Sequence, residues 1–241
     1  MNIEQAAKSN LIALRNNPYP GRGIILARSI SGDLVQIYWI MGRSANSRNR
    51  IFKQKDGGSV FTDSADPLTA GDTSLTLYRA MAEDAGIYVV SNGDQTDDVI
   101  REYGWATNLS QMLASRQFEP DGPNFTQRIT GMISVVPDRR FVQFAILRKS
   151  PFDDTCERIS YEYEGIQKGF GYFVSTYSGD GNPLPMFLGE PLIMPVEGNI
   201  EEVSSTYWDA LNEENRISLA VKFIDPESGR SIIRITNKYG A

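Results

Sequence analysis

Three arginines follow a strand-like apolar run in the stretch YWIMGRSANSRNR, residues 38–50. Arg43, Arg48 and Arg50 lie close together along the chain, and like charges at this spacing repel one another unless an anion or carboxylates lie between them. Guanidinium groups also bind phosphate through paired hydrogen bonds. The spacing predicts a site for a small anionic group, and the alternative is an arginine-rich surface without a ligand.

Polar residues also follow or precede two other strand-like runs. Arg22 is flanked by glycines in YPGRGI, so that little side-chain bulk obstructs a ligand there, and Asn92, Gly93 and Asp94 follow a strand in VVSNGDQTD. Loops at strand ends often carry functional groups, and the start of a helix offers free N–H groups to a phosphate or carbonyl oxygen. A glycine turn capped by Thr or Asp is also a common structural device, so both interpretations stay open for this segment.

The chain contains no histidine and a single cysteine, Cys156. These counts exclude Ser-His-Asp and Cys-His catalysis and the usual zinc sites. Acid–base chemistry must therefore use Glu, Asp, Tyr, Lys or Arg, with pKa values tuned by burial or by neighbouring charges. The acidic pairs Asp97-Asp98 and Asp153-Asp154 are interpreted as solvated residues, and no metal site or cofactor is predicted.

The composition indicates a globular protein, since 41% of the 241 residues are apolar. A net charge of -6 argues against nucleic-acid binding, although residues 1–55 are locally basic. No apolar run is long enough to span a membrane, and the start of the chain does not resemble a signal peptide. We expect a cytoplasmic protein, and the lone cysteine fits a reducing compartment.

The hydrophobic pattern predicts antiparallel sheets covered by helices, an α+β fold in one domain, 1–241, with residues 1–17 as a helical extension. Residues 51–72 are predicted to form a long loop with a short strand near Val60. Strands are expected in GIILARS, LVQIYWIM, TSLTLYRAM, GIYVVS, RITGMISVV, RFVQFAIL, RISYEYEG, GFGYFVSTYS, RISLAVKFID and SIIRITN. Further helices are expected after Thr96 or Asp97, over 108–117 and in NIEEVSSTYWDALN. The tyrosines of the later strands are interpreted as sheet packing.

The segments YPGRGI, YWIMGRSANSRNR, VVSNGDQTD and FEPDGPNFTQRI occur in this order over residues 18–135. Together they resemble the archaeal-type IMP cyclohydrolase family. The resemblance implies an Ntn-hydrolase-like αββα sandwich without a self-processed N-terminal nucleophile. It also implies an enzyme that acts on a purine nucleotide without a cofactor, closing the ring of 5-formamidoimidazole-4-carboxamide ribonucleotide (FAICAR) to give inosine monophosphate (IMP) and water.

Roles for individual residues follow from that resemblance. Glu119 is the expected proton-transfer group, and Tyr78 the hydrogen-bonding partner of the formyl oxygen or the leaving water. Arg43, with Arg48 or Arg50 and with Arg22, is expected to hold the 5'-phosphate. The remaining candidates for substrate binding are Ser44 beside the arginines, Asn92, Gly93 and Asp94 at the base carboxamide or ribose hydroxyls, and Asn124 and Arg128.

The sequence departs from the family pattern at Gln95, where archaeal members commonly have histidine, and its last hundred residues match only loosely. Two alternatives remain open on these grounds. One is a different Ntn-type amidohydrolase, and the other is a non-catalytic nucleotide sensor. Association into a homo-oligomer is also left open.

Overall fold

The computed structural model describes residues 2–55, 57–69, 71, 73–106, 108–137 and 139–240. The strands in chain order are β1 Gly23–Arg28, β2 Leu34–Met41, β3 Ile51–Lys55, β4 Ser59–Asp63, β5 Arg79–Asp84, β6 Ile87–Ser91, β7 Arg128–Ser134, β8 Phe141–Lys149, β9 Cys156–Tyr163, β10 Phe170–Ser175, β11 Leu192–Pro195, β12 Arg216–Ile224 and β13 Ser231–Asn237. The helices are α1 Ile3–Asn16, α2 Ala45–Arg48, α3 Gln95–Glu102, α4 Leu109–Met112 and α5 Ile200–Ala210, and Pro67–Thr69 is a 3₁₀ turn.

The strands form two antiparallel sheets. The first sheet has the order β11-β10-β1-β2-β12-β13, and the second runs from β3 to β9 in chain order. Neighbouring strands pair antiparallel throughout the described part of both sheets. The predicted α+β fold with antiparallel sheets is confirmed.

Side chains alternate across β2, and both faces of this strand are buried. Tyr38 and Ile40 pack between the two sheets, whereas Ile37 and Trp39 pack on the outer face of the first sheet. Successive side chains of a strand point to opposite faces, so a strand buried on both faces has an unbroken apolar run. This burial explains the run LVQIYWIM.

Helices cover the outer face of each sheet. Leu14 of α1 and Tyr207 of α5 share an apolar cluster with Trp39 of the first sheet. Val99 of α3 and Leu109 of α4 pack on the second sheet in a separate cluster. The helices therefore anchor the outer faces, and the space between the sheets is filled by strand side chains.

The tyrosines of the later strands pack between elements, as their alternation indicates. The rings of Tyr163 and Tyr172 stack with their centroids 3.8 Å apart, and both residues lie against the cluster between the sheets. Stacked aromatic pairs add packing energy beyond the area they bury. The interpretation as sheet packing is confirmed for this pair.

The loop predicted over residues 51–72 is wrong at Ile51–Lys55, which forms β3, whereas the short strand expected near Val60 is confirmed as β4, and the two strands form a hairpin. Phe52 and Val60 are buried in the cluster between the sheets. This stretch is rich in Gly, Asp and Ser, and its few apolar side chains give only a weak strand pattern in the sequence. The β11 strand was also missed, and strand β5 begins at Arg79 rather than at Thr73.

Two helix predictions differ from the structure. Helix α3 begins at Gln95 with Asp94 as its N-cap residue, not after Thr96 or Asp97. Helix α4 has a single turn, Leu109–Met112, instead of spanning 108–117, although Asn108 caps it through its side chain. Asp138, in the predicted turn between β7 and β8, lies outside the described residues.

No helix within the described ranges is both long enough and apolar enough to cross a membrane.

Candidate active site

A cavity of about 350 Å³ lies where strand ends of both sheets meet. Arg22 immediately precedes β1, Met41 ends β2, and Tyr177 follows β10 in the first sheet, whereas Glu119 and Thr126 precede β7 of the second sheet. The described lining residues are Tyr19, Gly21, Arg22, Met41, Arg43, Ser44, Ser47, Arg50, Leu75, Thr76, Glu119, Asp121, Asn124, Thr126, Tyr177 and Leu184.

An ion pair between Arg22 and Glu119 connects the two sheets at this cavity. Nη2 of Arg22 donates to Oε2 of Glu119 at 2.9 Å, and Nη1 donates to the carbonyl oxygen of Asn92 at 3.2 Å. Burial raises the pKa of the Glu119 carboxyl group, and the positive charge of Arg22 opposes this rise. Glu119 is therefore a buried carboxylate whose pKa is closer to neutral pH than that of an exposed glutamate.

The backbone around Arg22 is held by close packing. Its N–H donates to Oγ1 of Thr176 at 3.0 Å, and its carbonyl oxygen accepts from the N–H of Thr176 at 2.8 Å. Gly21 has φ of +72°, and a Cβ atom there would lie 2.2 Å from Oγ1 of Thr176 and 2.5 Å from Cδ2 of Tyr177. Only glycine fits this position without displacing the cavity wall.

One wall of the cavity presents hydrogen-bond donors. Arg50 is 5% exposed, and it donates from Nε to the carbonyl oxygen of Ser47 at 2.8 Å and from Nη2 to that of Met41 at 2.9 Å. Burial lowers the pKa of Arg50 from its usual value, although a guanidinium stays charged in proteins. Arg43 stacks over the ring of Tyr19, with its guanidinium carbon 4.9 Å from the ring centroid. We call Arg43, Ser44, Ser47 and Arg50 the donor wall.

The short helix α2 places the two serines of the donor wall. Ser44 caps this helix by accepting from the N–H of Ser47 at 3.2 Å, and the N–H of Ser44 donates to Oγ of Ser47 at 3.0 Å. The hydroxyl of Ser44 donates to Oγ of Ser47 at 3.0 Å, and the hydroxyl of Ser47 donates to the carbonyl oxygen of Ser44 at 2.9 Å. This reciprocal capping box fixes both serines, so the donors that this wall offers to the cavity come from Arg43 and Arg50. Arg43 also contacts the carboxylate of Asp180, which partly neutralises its charge.

A second set of cavity-lining residues presents acceptors. Asp121 receives the N–H of Thr126 at 2.6 Å and also its hydroxyl group, and that hydroxyl contacts the phenol oxygen of Tyr177. Burial raises the pKa of Tyr177 to about 12, so its phenol remains protonated near neutral pH. We call Asp121, Thr126 and Tyr177 the acceptor wall.

Asn92 lies behind the cavity and supports Glu119. It is fully buried, and its Nδ2 donates to the carbonyl oxygen of Gln127 at 3.0 Å and approaches Oε1 of Glu119 at 3.5 Å. Its Oδ1 accepts from Nε2 of Gln95 at 3.0 Å, and Oε1 of Gln95 accepts from Arg128 at 2.7 Å. Gln95, at the position of the expected histidine, thus orients the amide of Asn92.

The structure brings some predicted site residues together at the cavity and places others elsewhere. Arg22, Arg43, Ser44, Arg50, Glu119 and Asn124 line the cavity. Among the residues that the structure describes, the other candidates do not line it: Tyr78, Arg48, Asn92, Gly93, Asp94 and Arg128.

Those other side chains are engaged outside the cavity. Arg48 donates from Nε to the carbonyl oxygen of Gly42 at 3.2 Å and from Nη2 to Oε1 of Glu214 at 3.4 Å, and since Glu214 does not line the cavity, the guanidinium group faces away from the donor wall. Asp94 is paired with Arg116 and Arg128 at 2.8 and 2.9 Å. The hydroxyl of Tyr78 lies 2.7 Å from that of Tyr38.

The acceptor wall was not foreseen from the sequence. Asp121 and Thr126 lie within the quoted FEPDGPNFTQRI segment, but nothing in their spacing distinguishes them from loop residues. Tyr177 was grouped with the packing tyrosines, and it reaches the cavity from the end of β10 through a contact between distant segments. Such a contact leaves no periodic signal in the sequence.

No group of three or more His, Cys, Asp or Glu residues in the described ranges is arranged to hold a metal ion.

The fold and the site define a two-sheet α+β protein with a polar cavity that has cationic donors at one wall and carboxylates at the other. The sequence model of the IMP cyclohydrolase-like protein family matches residues 19–229. The chain belongs to this family, and the resemblance inferred from the sequence is confirmed. The match begins after α1. No curated protein matches the chain significantly.

Proposed function

We propose that the protein is an IMP cyclohydrolase, which converts FAICAR to IMP and water in purine biosynthesis. The observation that carries this proposal is one cavity in which the buried pair of Arg22 and Glu119 faces the donor wall of Arg43 and Arg50. A nucleotide needs both features, since its phosphate is a dianion and its base undergoes proton transfer. Membership of the IMP cyclohydrolase-like family supports the same substrate class.

The donor wall is suited to the 5'-phosphate. Arg43 and Arg50 both line the cavity, and Ser44 and Ser47 lie between them in sequence. Arg50 is held by two backbone carbonyl groups, so little side-chain entropy is lost when it binds an anion. Charge-assisted hydrogen bonds from such a preorganised group are stronger than bonds between neutral groups.

The reaction requires two proton movements within one bound molecule. The carboxamide nitrogen attacks the formyl carbon, and a C–N bond forms while a proton passes from that nitrogen to the formyl oxygen. The hydroxyl group then leaves as water with a proton from the formamido nitrogen. Both reacting groups belong to the same substrate, so holding them in contact supplies much of the rate enhancement.

Glu119 is the group we assign to these proton transfers. Its carboxylate accepts from Arg22, and burial raises its pKa. A carboxyl group with a raised pKa is better suited than an exposed glutamate both to accept and to donate a proton near neutral pH. The guanidinium of Arg22 also stabilises negative charge that develops on the formyl oxygen. Asn92 keeps the carboxylate of Glu119 oriented.

Tyr78 keeps a supporting role in this proposal. Its hydroxyl is bonded to that of Tyr38, and both phenols lie close enough to Arg22 to influence its electrostatic environment. We therefore place Tyr78 behind Arg22 rather than on the formyl oxygen. The stacking of two antiparallel sheets between outer helices also supports an Ntn-hydrolase-like fold.

Incubating the purified protein with FAICAR and measuring IMP formation by absorbance tests the proposal. The wild type should form IMP, and Glu119→Gln should lose turnover while still binding IMP, because the amide keeps the shape but cannot accept a proton. Glu157→Gln is the matched control, since Glu157 accepts from Arg148 at 2.6 Å outside the cavity. Unchanged turnover in Glu119→Gln would reject its assignment.

The same assay separates the two alternatives. Tight binding of IMP without turnover of FAICAR in the wild type would support a nucleotide sensor. Hydrolysis of simple amides without ring closure would support a different amidohydrolase. Either result would reject the cyclohydrolase.

A further inference from the structure

The hydrogen-bond directions of the acceptor wall can be assigned one donor at a time. The carboxylate of Asp121 only accepts, so the hydroxyl of Thr126 donates its single hydrogen to Oδ2 of Asp121. The remaining contact, between Thr126 and Tyr177, must then use the phenol hydrogen of Tyr177. Tyr177 has only one hydrogen to give, and Thr126 receives it.

The consequence is that the Tyr177 oxygen offers lone pairs, and no hydrogen, to the cavity. Asp121 is likewise left with acceptor capacity, because each carboxylate oxygen can take two hydrogen bonds and the structure uses one on each from Thr126. A ligand at this wall must therefore present donors. A phosphate or a carbonyl oxygen would be repelled there.

The acceptor wall is linked directly to the donor wall. The ring of Tyr177 stacks on that of Tyr19 with their centroids 6.1 Å apart, and the guanidinium group of Arg43 lies over the ring of Tyr19. Glu119 lies near both residues, since, in addition to burial, the charge of Asp121 contributes to the raised pKa of Glu119 and the charge of Glu119 contributes to the raised pKa of Tyr177. The acceptor wall is therefore next to the donor wall, which is the proposed phosphate site, and also next to Glu119, the proposed proton-transfer group.

In a nucleoside monophosphate, the sugar hydroxyl groups are the donors that lie between the phosphate and the base. We propose that Asp121 and Tyr177 form a subsite for the 2'- and 3'-hydroxyl groups of a ribonucleotide, with Thr126 fixing the direction of the Tyr177 hydrogen. This inference rests on the proposed function for the order of groups along the ligand. It assigns the sugar to residues other than Asn92 and Asp94.

Calorimetric titration with IMP, 2'-deoxy-IMP and 3'-deoxy-IMP tests the subsite. The wild type should bind each deoxy analogue about tenfold or more weakly than IMP, because a hydrogen bond to Asp121 or Tyr177 is lost. Tyr177→Phe keeps the stacked ring but removes the oxygen, and Asp121→Asn removes the charge. Both variants should bind IMP more weakly and discriminate less between IMP and its deoxy analogues.

One further variant tests the role of Thr126, and another serves as the control. Thr126→Val keeps the volume of the side chain but frees the phenol hydrogen of Tyr177, and it should weaken discrimination without removing either acceptor. Tyr161→Phe removes a hydroxyl that donates to the carbonyl oxygen of Gly189, outside the cavity, and should behave as wild type. Circular dichroism checks that each variant is folded. If Asp121→Asn does not fold, the test of the subsite depends on Tyr177→Phe.

Equal affinity of the wild type for all three nucleotides would overturn the subsite, as would full discrimination in folded Tyr177→Phe. Failure of FAICAR turnover together with clear discrimination would reject the cyclohydrolase and keep the subsite. If no nucleotide binds, titration with ribose 5-phosphate and 2-deoxyribose 5-phosphate takes its place, and equal or absent binding of these sugar phosphates overturns the subsite too.

Discussion

A buried arginine and a buried glutamate are paired at the centre of the cavity, and this arrangement is costly to the fold. Glu119 is 3% exposed, and its partner Arg22 bonds it at 2.9 Å. Removing two charges from water costs several kcal/mol per ion, so such pairs are weak evidence for stability. Their retention beside a polar cavity is better explained by chemistry, because a sheltered carboxylate has a proton affinity useful near neutral pH.

Arg43→Ala should weaken IMP binding by about 1.5–3 kcal/mol, roughly tenfold to a hundredfold or slightly more, because a charged hydrogen bond to the phosphate is lost. Arg48→Ala is the matched control, since its guanidinium group is bonded to the carbonyl oxygen of Gly42 and faces away from the donor wall. Calorimetric titration of both variants with IMP makes the comparison. Equal loss in the two variants would contradict the assignment of the donor wall.

The role proposed for Glu119 in proton transfer predicts how turnover depends on pH. A base acts only when ionised, so kcat/KM should be full above the pKa of Glu119 and should decline as pH falls through it. Burial raises this pKa, so the decline should begin at a higher pH than for an exposed glutamate. Arg22→Gln removes the charge that opposes the rise and should move the decline to still higher pH. A profile with its midpoint in the ordinary carboxyl range would contradict this interpretation.

At the scale of elements, the alternation of side chains along a strand and the turns at strand ends determine the directions in which site residues point. Arg22 precedes β1 and has the parity of Ile24, which packs between the sheets, so its side chain points to the second sheet. Gly21 allows the chain to turn into β1 with a positive φ while Tyr177 packs against it. The direction of Arg22 thus depends on a strand that begins at Gly23 and on a turn that precedes it.

Gly21→Ala should lower both stability and IMP affinity, because its Cβ would overlap Thr176 and Tyr177 in addition to straining the backbone. Gly57→Ala is the control, since Gly57 has φ of +69° but nothing within 4 Å of the added atom. Backbone strain alone should cost each variant about 1–2 kcal/mol. Urea denaturation and IMP titration measure the two effects. Equal stability loss and unchanged affinity in Gly21→Ala would contradict the role of close packing.

At the scale of the whole molecule, the cavity exists only because two sheets are stacked in one orientation. Arg22 immediately precedes β1 of the first sheet, and Glu119 lies in the segment that leads into β7 of the second. A polar bridge away from the cavity also joins the sheets. Lys222 of β12 is fully buried, and its Nζ donates to Oε2 of Glu83 at 2.8 Å and to the carbonyl oxygen of Gly58 at 2.6 Å.

Lys222→Met should destabilise the protein by about 2 kcal/mol, because the half-buried carboxylate of Glu83 loses its ion-pair partner, keeping only the bond from Ser231, and the carbonyl oxygen of Gly58 loses its bond from Lys222. Lys222 pairs with Gln36, which lies about 17 Å along β2 from the cavity end at Met41, so turnover of folded protein should not change. The midpoint of urea denaturation and the specific activity measure these quantities. Loss of activity at unchanged stability would contradict this structural role.

Lys53→Met is the control for that experiment. Lys53 pairs with Asp63 at 2.8 Å, but both side chains are substantially exposed. Exposed pairs contribute about 1 kcal/mol or less, so this variant should denature close to the wild type. A loss as large as that of Lys222→Met would show that burial does not distinguish the two lysines.

The sequence by itself determined most of the strands, the helices α1 and α5, and the side-chain types that can transfer protons. Alternation and apolar runs such as that of β2 act locally, so they are visible in a short window. The absence of histidine likewise restricts proton transfer to side chains such as Glu119 without any knowledge of the fold. Family motifs then drew attention to Arg43 and Arg22. All of these signals depend on neighbours in the chain.

Only the tertiary structure decided which side chains share the cavity. Arg43 and Arg50 line it and Arg48 does not, because Arg48 ends helix α2 and bonds to Glu214 and Asn215, whereas Arg43 and Arg50 lie outside this helix, one on either side of it in sequence. Tyr177 meets Thr126 across 51 positions of the chain, and no periodicity records such a contact. The direction of each hydrogen bond, and therefore the division into donor and acceptor walls, depends on partners that only the stacking of the two sheets brings within reach.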